Sequence, residues 1–154
     1  MKKIAYIFIL IIVIGNLTAC KASKKLDVDK LEKSTYDASQ QGEDVELSVK
    51  EEVIAPDTEN IILSYTNFSD REYIYGKEPC LEMEIDDIWY VVPTLETAAW
   101  DEMAYILSPN DTREDVFPMG DYYGKLDEGK YRIVKILYSD AESIFVVGEF
   151  NVQK

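Results

Sequence analysis

Thirty Asp and Glu side chains, sixteen Lys and Arg, two cysteines and no histidine set the chemistry open to this 154-residue chain. Without histidine, the commonest general base and neutral metal ligand is missing. Neither a Ser-His-Asp nor a Cys-His arrangement can be built. Zinc would need cysteine and carboxylate alone, and one cysteine beside Cys20 is too few. Glycines occur singly, so no phosphate-binding loop is written into the chain. Paired carboxylates remain, at Asp86/Asp87, Asp101/Glu102 and Glu114/Asp115. Adjacent residues on a strand face opposite ways, so such pairs rarely converge. A glycosidase-like mechanism needs two carboxylates about 5–10 Å apart across a substrate, and no spacing here demands that. Calcium is a softer option, because hard cations take several loop oxygens. Asn110-Asp111 with Glu114-Asp115, or Asp121 with Asp127-Glu128, could offer them, although no EF-hand spacing exists. The expectation is no catalytic site, no metal and no cofactor. The aromatics say more. Trp100, Tyr105, Tyr122 and Tyr123 fall in expected loops and are the candidate binding residues. They could stack on sugars or peptides or form a protein interface. The alternative is that they cap the open ends of a small core.

The amino terminus reads as an export signal. Lys2 and Lys3 precede Ile4 to Ile14, which is apolar throughout. That run is shorter than the roughly 20 residues that span a bilayer, and suits a signal-peptide core of about 7–15 residues. Leu17-Thr18-Ala19-Cys20 follows. This stretch resembles the lipobox of bacterial lipoproteins: a branched apolar residue, two small residues, then cysteine. The resemblance implies diacylglycerol on the Cys20 thiol and cleavage just before it. A plain signal peptide with an incidental cysteine is the alternative. Two acyl chains suffice for stable anchoring. Removing residues 1–19 leaves 135 of the 154 and takes away two lysines and no acid, so the formal charge moves from −14 to −16. Such a chain repels phosphate backbones, which excludes nucleic acid as a partner. It is also repelled by anionic lipid, so the lipid must anchor it. With Cys20 modified, Cys80 has no intramolecular partner, and a small buried hydrophobe is its expected role.

The rest of the chain must position these groups. Lys21 to Asp44 is polar, with Leu26, Val28 and Leu31 isolated, and reads as a flexible tether able to reach about 80 Å fully extended. From Val45 onward the period becomes two. Val45, Leu47 and Val49 alternate with Glu46, Ser48 and Lys50. Ile61, Leu63 and Tyr65 share a face, as do Leu81, Met83 and Ile85. Asp86-Asp87 predicts a hairpin turn into Ile88–Val92, ended by Pro93. Thr94 to Leu107 could be a helical turn or a long crossing. Thr112–Phe117 predicts a short strand. Lys130–Tyr138 and Ile144–Val152, rich in β-branched and aromatic residues, predict the two strongest strands. About seven short strands with turn signals between them predict an all-β antiparallel sandwich.

Four motifs occur in order: Asn67-Phe68-Ser69 with Tyr73-Ile74-Tyr75-Gly76, Trp89-Tyr90-Val91-Val92-Pro93, Tyr105-Ile106-Leu107-Ser108-Pro109, and Leu126-Asp127-Glu128-Gly129-Lys130-Tyr131-Arg132-Ile133. Together they resemble a family of bacterial immunoglobulin-like domains found in small lipoproteins and other surface proteins, over roughly residues 45–152. The resemblance implies an immunoglobulin-like sandwich and carries no catalytic motif. It makes Tyr131 the candidate for a tyrosine bonded back to the chain at the sheet corner, and Trp89 the candidate core tryptophan. Asn110 stands where glycine would be usual, and Asn tolerates left-handed backbone. Asp127-Glu128 replaces a proline-containing approach to Gly129.

The expected organisation is a leader over 1–19, a lipidated tether over 20–44 and an immunoglobulin-like domain over 45–154. The expected role is a non-enzymatic binding module on the extracytoplasmic face of a cell membrane. It would be held by diacylglyceryl-Cys20 and would contact an envelope protein or glycan. A carboxylate-based envelope hydrolase is the second possibility, and would show two convergent acids in a cleft. A lipoprotein docking by sheet-edge pairing is the third, and would show an open, uncharged edge strand.

Overall fold

Alternating burial marks several strands of the computed structural model, which describes residues 26–37 and 41–154. The leader and Cys20 lie outside the described residues. In chain order the strands are Val45–Val49 (β1), Val53–Ile54 (β2), Ile61–Asn67 (β3), Tyr73–Tyr75 (β4) and Leu81–Ile85 (β5). They continue with Ile88–Val91 (β6), Tyr105–Leu107 (β7), Thr112–Phe117 (β8), Gly129–Tyr138 (β9) and Ser143–Val152 (β10), with one short helix, Met119–Tyr123 (α1). Every second residue of β1 and β3 is buried. With a period of two, those side chains share one face.

Two sheets form. The smaller has the order β1-β3-β8, antiparallel throughout. The larger is centred on the β9–β10 hairpin, paired without a break from Gly129↔Val152 to Tyr138↔Ser143. The sheets face each other across buried Leu47, Leu63, Tyr65, Tyr131, Ile133 and Phe150. Gly148 lets them approach: a Cβ there would lie 3.2 Å from Val49 and 3.3 Å from Leu47. Asp86 and Asp87 take positive φ, 51° and 61°, and close the β5–β6 hairpin. A two-residue turn of that hand matches the twist of the strands it joins. Asn110, with φ 53°, holds the left-handed turn before β8. Tyr131 is fully buried, and its hydroxyl donates to the Asp127 carbonyl at 2.9 Å. That is the corner bond expected of it.

The fold departs from expectation in four places. Ten strands form rather than about seven, because β2, β4 and β7 are two or three residues long, too short to show a period. Residues 119–123 are helical. Trp89 is half-buried on β6, which pairs only with β5 among the named strands. It is therefore an aromatic near the sheet edge, not a core tryptophan. Finally, part of the stretch read as a tether lies on the large sheet. Val28–Lys30 forms a 3-10 turn, and Lys33 bridges Tyr90 in antiparallel fashion. Ser34 N–H donates to the Trp89 carbonyl at 2.9 Å, and Val91 N–H to the Glu32 carbonyl at 2.8 Å. These are backbone bonds, which is why a polar composition did not announce them.

Candidate functional site

The four aromatics singled out in the sequence gather on one side of the sandwich but take different parts. Tyr122 and Tyr123 sit on α1 rather than in a loop, and are 4% and 7% exposed. Tyr122 meets Phe117 edge-on at 5.2 Å, and Tyr123 stacks on Phe117 at 6.4 Å. Both close the end of the core. The irregular 94–104 stretch leans on the helix through Leu95 N–H, which donates to the Tyr122 carbonyl at 2.8 Å. This sets Trp100 edge-on to Tyr122 at 6.3 Å, with the indole 38% exposed. Trp100 stands at a groove of about 490 Å³ whose walls include Pro79, Val92, Pro93, Leu31 and Tyr123. That volume falls within the usual range of ligand sites, which are mostly apolar with a few polar groups. Glu32 and Glu78 supply carboxylates there, and both are solvent-exposed.

Tyr105 is on β7, half-buried and already engaged. It lies 5.9 Å from Tyr75, which stacks on Tyr65 at 4.6 Å. Lys77 and Arg113 sit over its ring at 4.7 and 4.9 Å, and its hydroxyl donates to Asp101 at 3.0 Å. Tyr75 donates to Asp115 at 2.5 Å, and burial followed by that carboxylate raises its pKa. A ring covered by two cations has little face left for a ligand, so Tyr105 braces the cluster rather than presenting it.

Two buried charged groups were not visible in the sequence. Lys135 is 4% exposed and sits between the sheets. One edge of β9 is served by β4 at Tyr138 and by β5 at Tyr131–Ile133. Between them the chain leaves the sheet, and the Lys135 ammonium donates to the stranded carbonyls of Glu78 at 2.7 Å and Gly76 at 3.4 Å. No carboxylate pairs with it at salt-bridge distance among the described residues. Burial holds its pKa down at about 8. Nearby Cys80 is pushed the other way, to about 11, first by burial and then by Glu82. A thiol that seldom ionises is a poor nucleophile.

The second is an ion pair. Arg132 Nε donates to Glu82 Oε2 at 2.6 Å, with the two side chains 5% and 0% exposed. On an outward face this pair reads as solvated surface. It is buried because residues 32–36 lie over it: Arg132 also donates to Ser34 Oγ at 3.2 Å and lies 4.4 Å from the Trp89 ring. Glu82 Oε1 has no hydrogen-bond partner among the described residues.

Several of the candidate calcium residues are engaged by neighbouring protein groups. Asn110 donates to Asp70 at 3.1 Å, Glu114 pairs with Lys50 at 2.6 Å, and Asp111 accepts from Thr112 N–H at 2.9 Å. Among the described residues no group of three or more Cys, Asp or Glu is placed to hold a metal ion. No described helix is long and apolar enough to cross a membrane.

Two facing antiparallel-rich sheets and a hydroxyl-bonded tyrosine corner define an immunoglobulin-like sandwich. The description "Bacterial Ig-like domain" matches residues 41–150, and the chain belongs to that family. Residues 26–37 lie outside the matched span. No curated protein matches the chain. Among solved structures it overlaps the ASH / PapD-like domain of human CEP192 (PapD-like domain 7), with a TM-score of 0.33 and 11% identity. The overlap covers 84% of this chain and 99% of that one. Similarity at that level says nothing of function.

Proposed function

We propose that this chain is a non-enzymatic interaction module, anchored through lipid on Cys20 to the outer face of a cell membrane. It contacts an envelope protein or glycan through the groove beside Trp100. The observation that carries this reading is the contrast within the aromatic set. Tyr122 and Tyr123 are buried, whereas Trp100 is 38% exposed at a groove of mixed apolar and charged lining. Large aromatics are enriched where proteins bind and scarce where they merely meet water. The hydrolase reading is weaker, because Glu32 and Glu78 are solvated and an acid catalyst needs a carboxyl raised by a dry setting. Edge docking is weaker too. The free edge of β8 carries Arg113, Glu114 and Asp115, and β7 is three residues long with Arg113 reaching the Ile106 carbonyl at 3.4 Å. Short, charged edges resist strand addition.

The test is co-sedimentation of the purified chain with lipid-extracted envelope fragments, where the anchor finds no bilayer, comparing Trp100→Ala with the parent. The expected result is retention reduced at least tenfold, with thermal stability nearly unchanged. Equal retention by a folded Trp100→Ala protein rules this groove out.

A further inference from the structure

We infer that the end of the sandwich carrying Leu26, Leu126 and Lys154 is the membrane-facing end, held close to the lipid by residues 26–36 acting as a strap. This rests on the Cys20 anchor proposed above. The strap is fastened at three levels. Leu26 packs on the core, and its N–H donates to Asp127 Oδ2 at 3.4 Å. Glu32 to Ser34 pair with β6 through the two backbone bonds described. Tyr36 packs on Phe145 at 5.2 Å between centroids, and Arg132 holds Ser34.

The consequence is a matter of length. From Cys20 to Leu26 there are six residue steps, a reach of at most about 20 Å, against about 80 Å had the whole 20–44 segment been free. The ten residues of β9 then carry the opposite end, where Arg71 and Glu142 pair, about 33 Å further out. The near end offers an apolar floor with two lysines and two acids around it. A groove of about 570 Å³ opens there, floored by Leu26, Val28, Met83, Ile85 and Leu126 and bordered by Lys125 and Lys154. Its acids are partly engaged: Glu128 pairs with Lys154 at 2.8 Å, and Asp127 accepts from Leu26. The occupant assigned to this face is the surface of the bilayer in which the anchor sits. Only six residue steps separate Cys20 from Leu26, and Leu26 lies on that face.

The experiment uses the full lipidated protein in phosphatidylcholine vesicles containing phosphatidylglycerol and a headgroup-labelled acceptor lipid. A donor dye is placed at Lys154→Cys or at Asn110→Cys, each in a Cys80→Ser background. Energy transfer is expected to be several-fold stronger from 154 than from 110. Ser34→Pro, which deletes the N–H bonded to Trp89, or Tyr36→Ala should weaken transfer from 154 and bring the two sites together. Equal transfer from both sites in the parent, or no change in either folded strap variant, overturns the inference. Transfer from 154 that rises with protein density assigns the face to a second copy and overturns it as well. The intact mass is read on the same samples. An unmodified Cys20 overturns the anchor reading itself, whereas a lipidated Cys20 with equal transfer overturns only the orientation.

Discussion

Lys135 makes the fold's stability depend on pH in a direction that most surface lysines do not. Its ammonium titrates at about 8 in the folded chain, against an ordinary 10.5. Across that interval the unfolded chain binds more protons. The charged amine therefore penalises folding below the folded pKa, and stability rises with pH as the penalty is relieved. From about pH 7 to about pH 9 the linkage gives a gain of about 1.4 kcal/mol. Cys80 acts oppositely. Its thiol is raised from 9.0 to about 11, so its contribution is present below the ordinary pKa and is lost as pH rises. Over the same interval that loss is about 0.4 kcal/mol. The comparison is therefore Cys80→Ala against Cys80→Ala/Lys135→Met, by urea unfolding followed through tryptophan fluorescence at both pH values. Glu78, Asp115 and Lys77, the other charges that act on Lys135, are common to both proteins and cancel. Methionine leaves the Gly76 and Glu78 carbonyls without the amine at every pH, so it shifts stability without adding a slope. The gain of about 1.4 kcal/mol should appear only where Lys135 is present. Parallel pH profiles for the two proteins would refute the buried, partly neutral amine.

Other expectations are briefer. Tyr131→Phe removes the hydroxyl bonded to Asp127 at 2.9 Å and should cost about 0.5–1.5 kcal/mol in denaturant unfolding; no cost would mean the corner bond contributes nothing. Arg132→Met leaves Glu82 buried and unpaired and should cost about 3–5 kcal/mol. Adding Glu82→Gln should recover part of that loss, and failure to recover any would show the pair is not coupled.

Much of the sandwich could be read from the chain because its strands are marked by period or by residue type. In β1 and β3 burial alternates and the inward residues are apolar, whereas β9 is legible as a strand from its β-branched and aromatic residues although Tyr131 to Lys135 are all buried. The Asp86-Asp87 and Asn110 turns were legible for a local reason, since these residue types accept left-handed backbone. What stayed hidden depends on partners distant in sequence. Ser34 and Glu32 are held by backbone bonds to β6, and Arg132 and Glu82 are buried only because the strap covers them. Lys135 shares the register of core-facing Tyr131, Ile133 and Leu137, where a charge is unexpected, and the break between β4 and β5 that it fills is not revealed by periodicity. The candidate site was half legible. Its four aromatics do gather, but which one remains exposed is settled by the way α1 turns Tyr122 and Tyr123 inward and leaves Trp100 outside.

The burial of the Glu82–Arg132 pair bears on function through the strap. The strap is held over this pair by two strand-like backbone bonds and by the Arg132 bond to Ser34 Oγ, which lifting it would break. The same segment supplies Leu31 and Glu32 to the Trp100 groove. Leu31 and Glu32 thus help build the proposed contact surface.

The most direct measurement is the intact mass of the protein recovered from membranes. A chain beginning at Cys20 and carrying a diacylglyceryl group, lost in Cys20→Ala together with membrane retention, is the predicted result. An unmodified amino terminus upstream of Cys20 would contradict the lipid-anchored module.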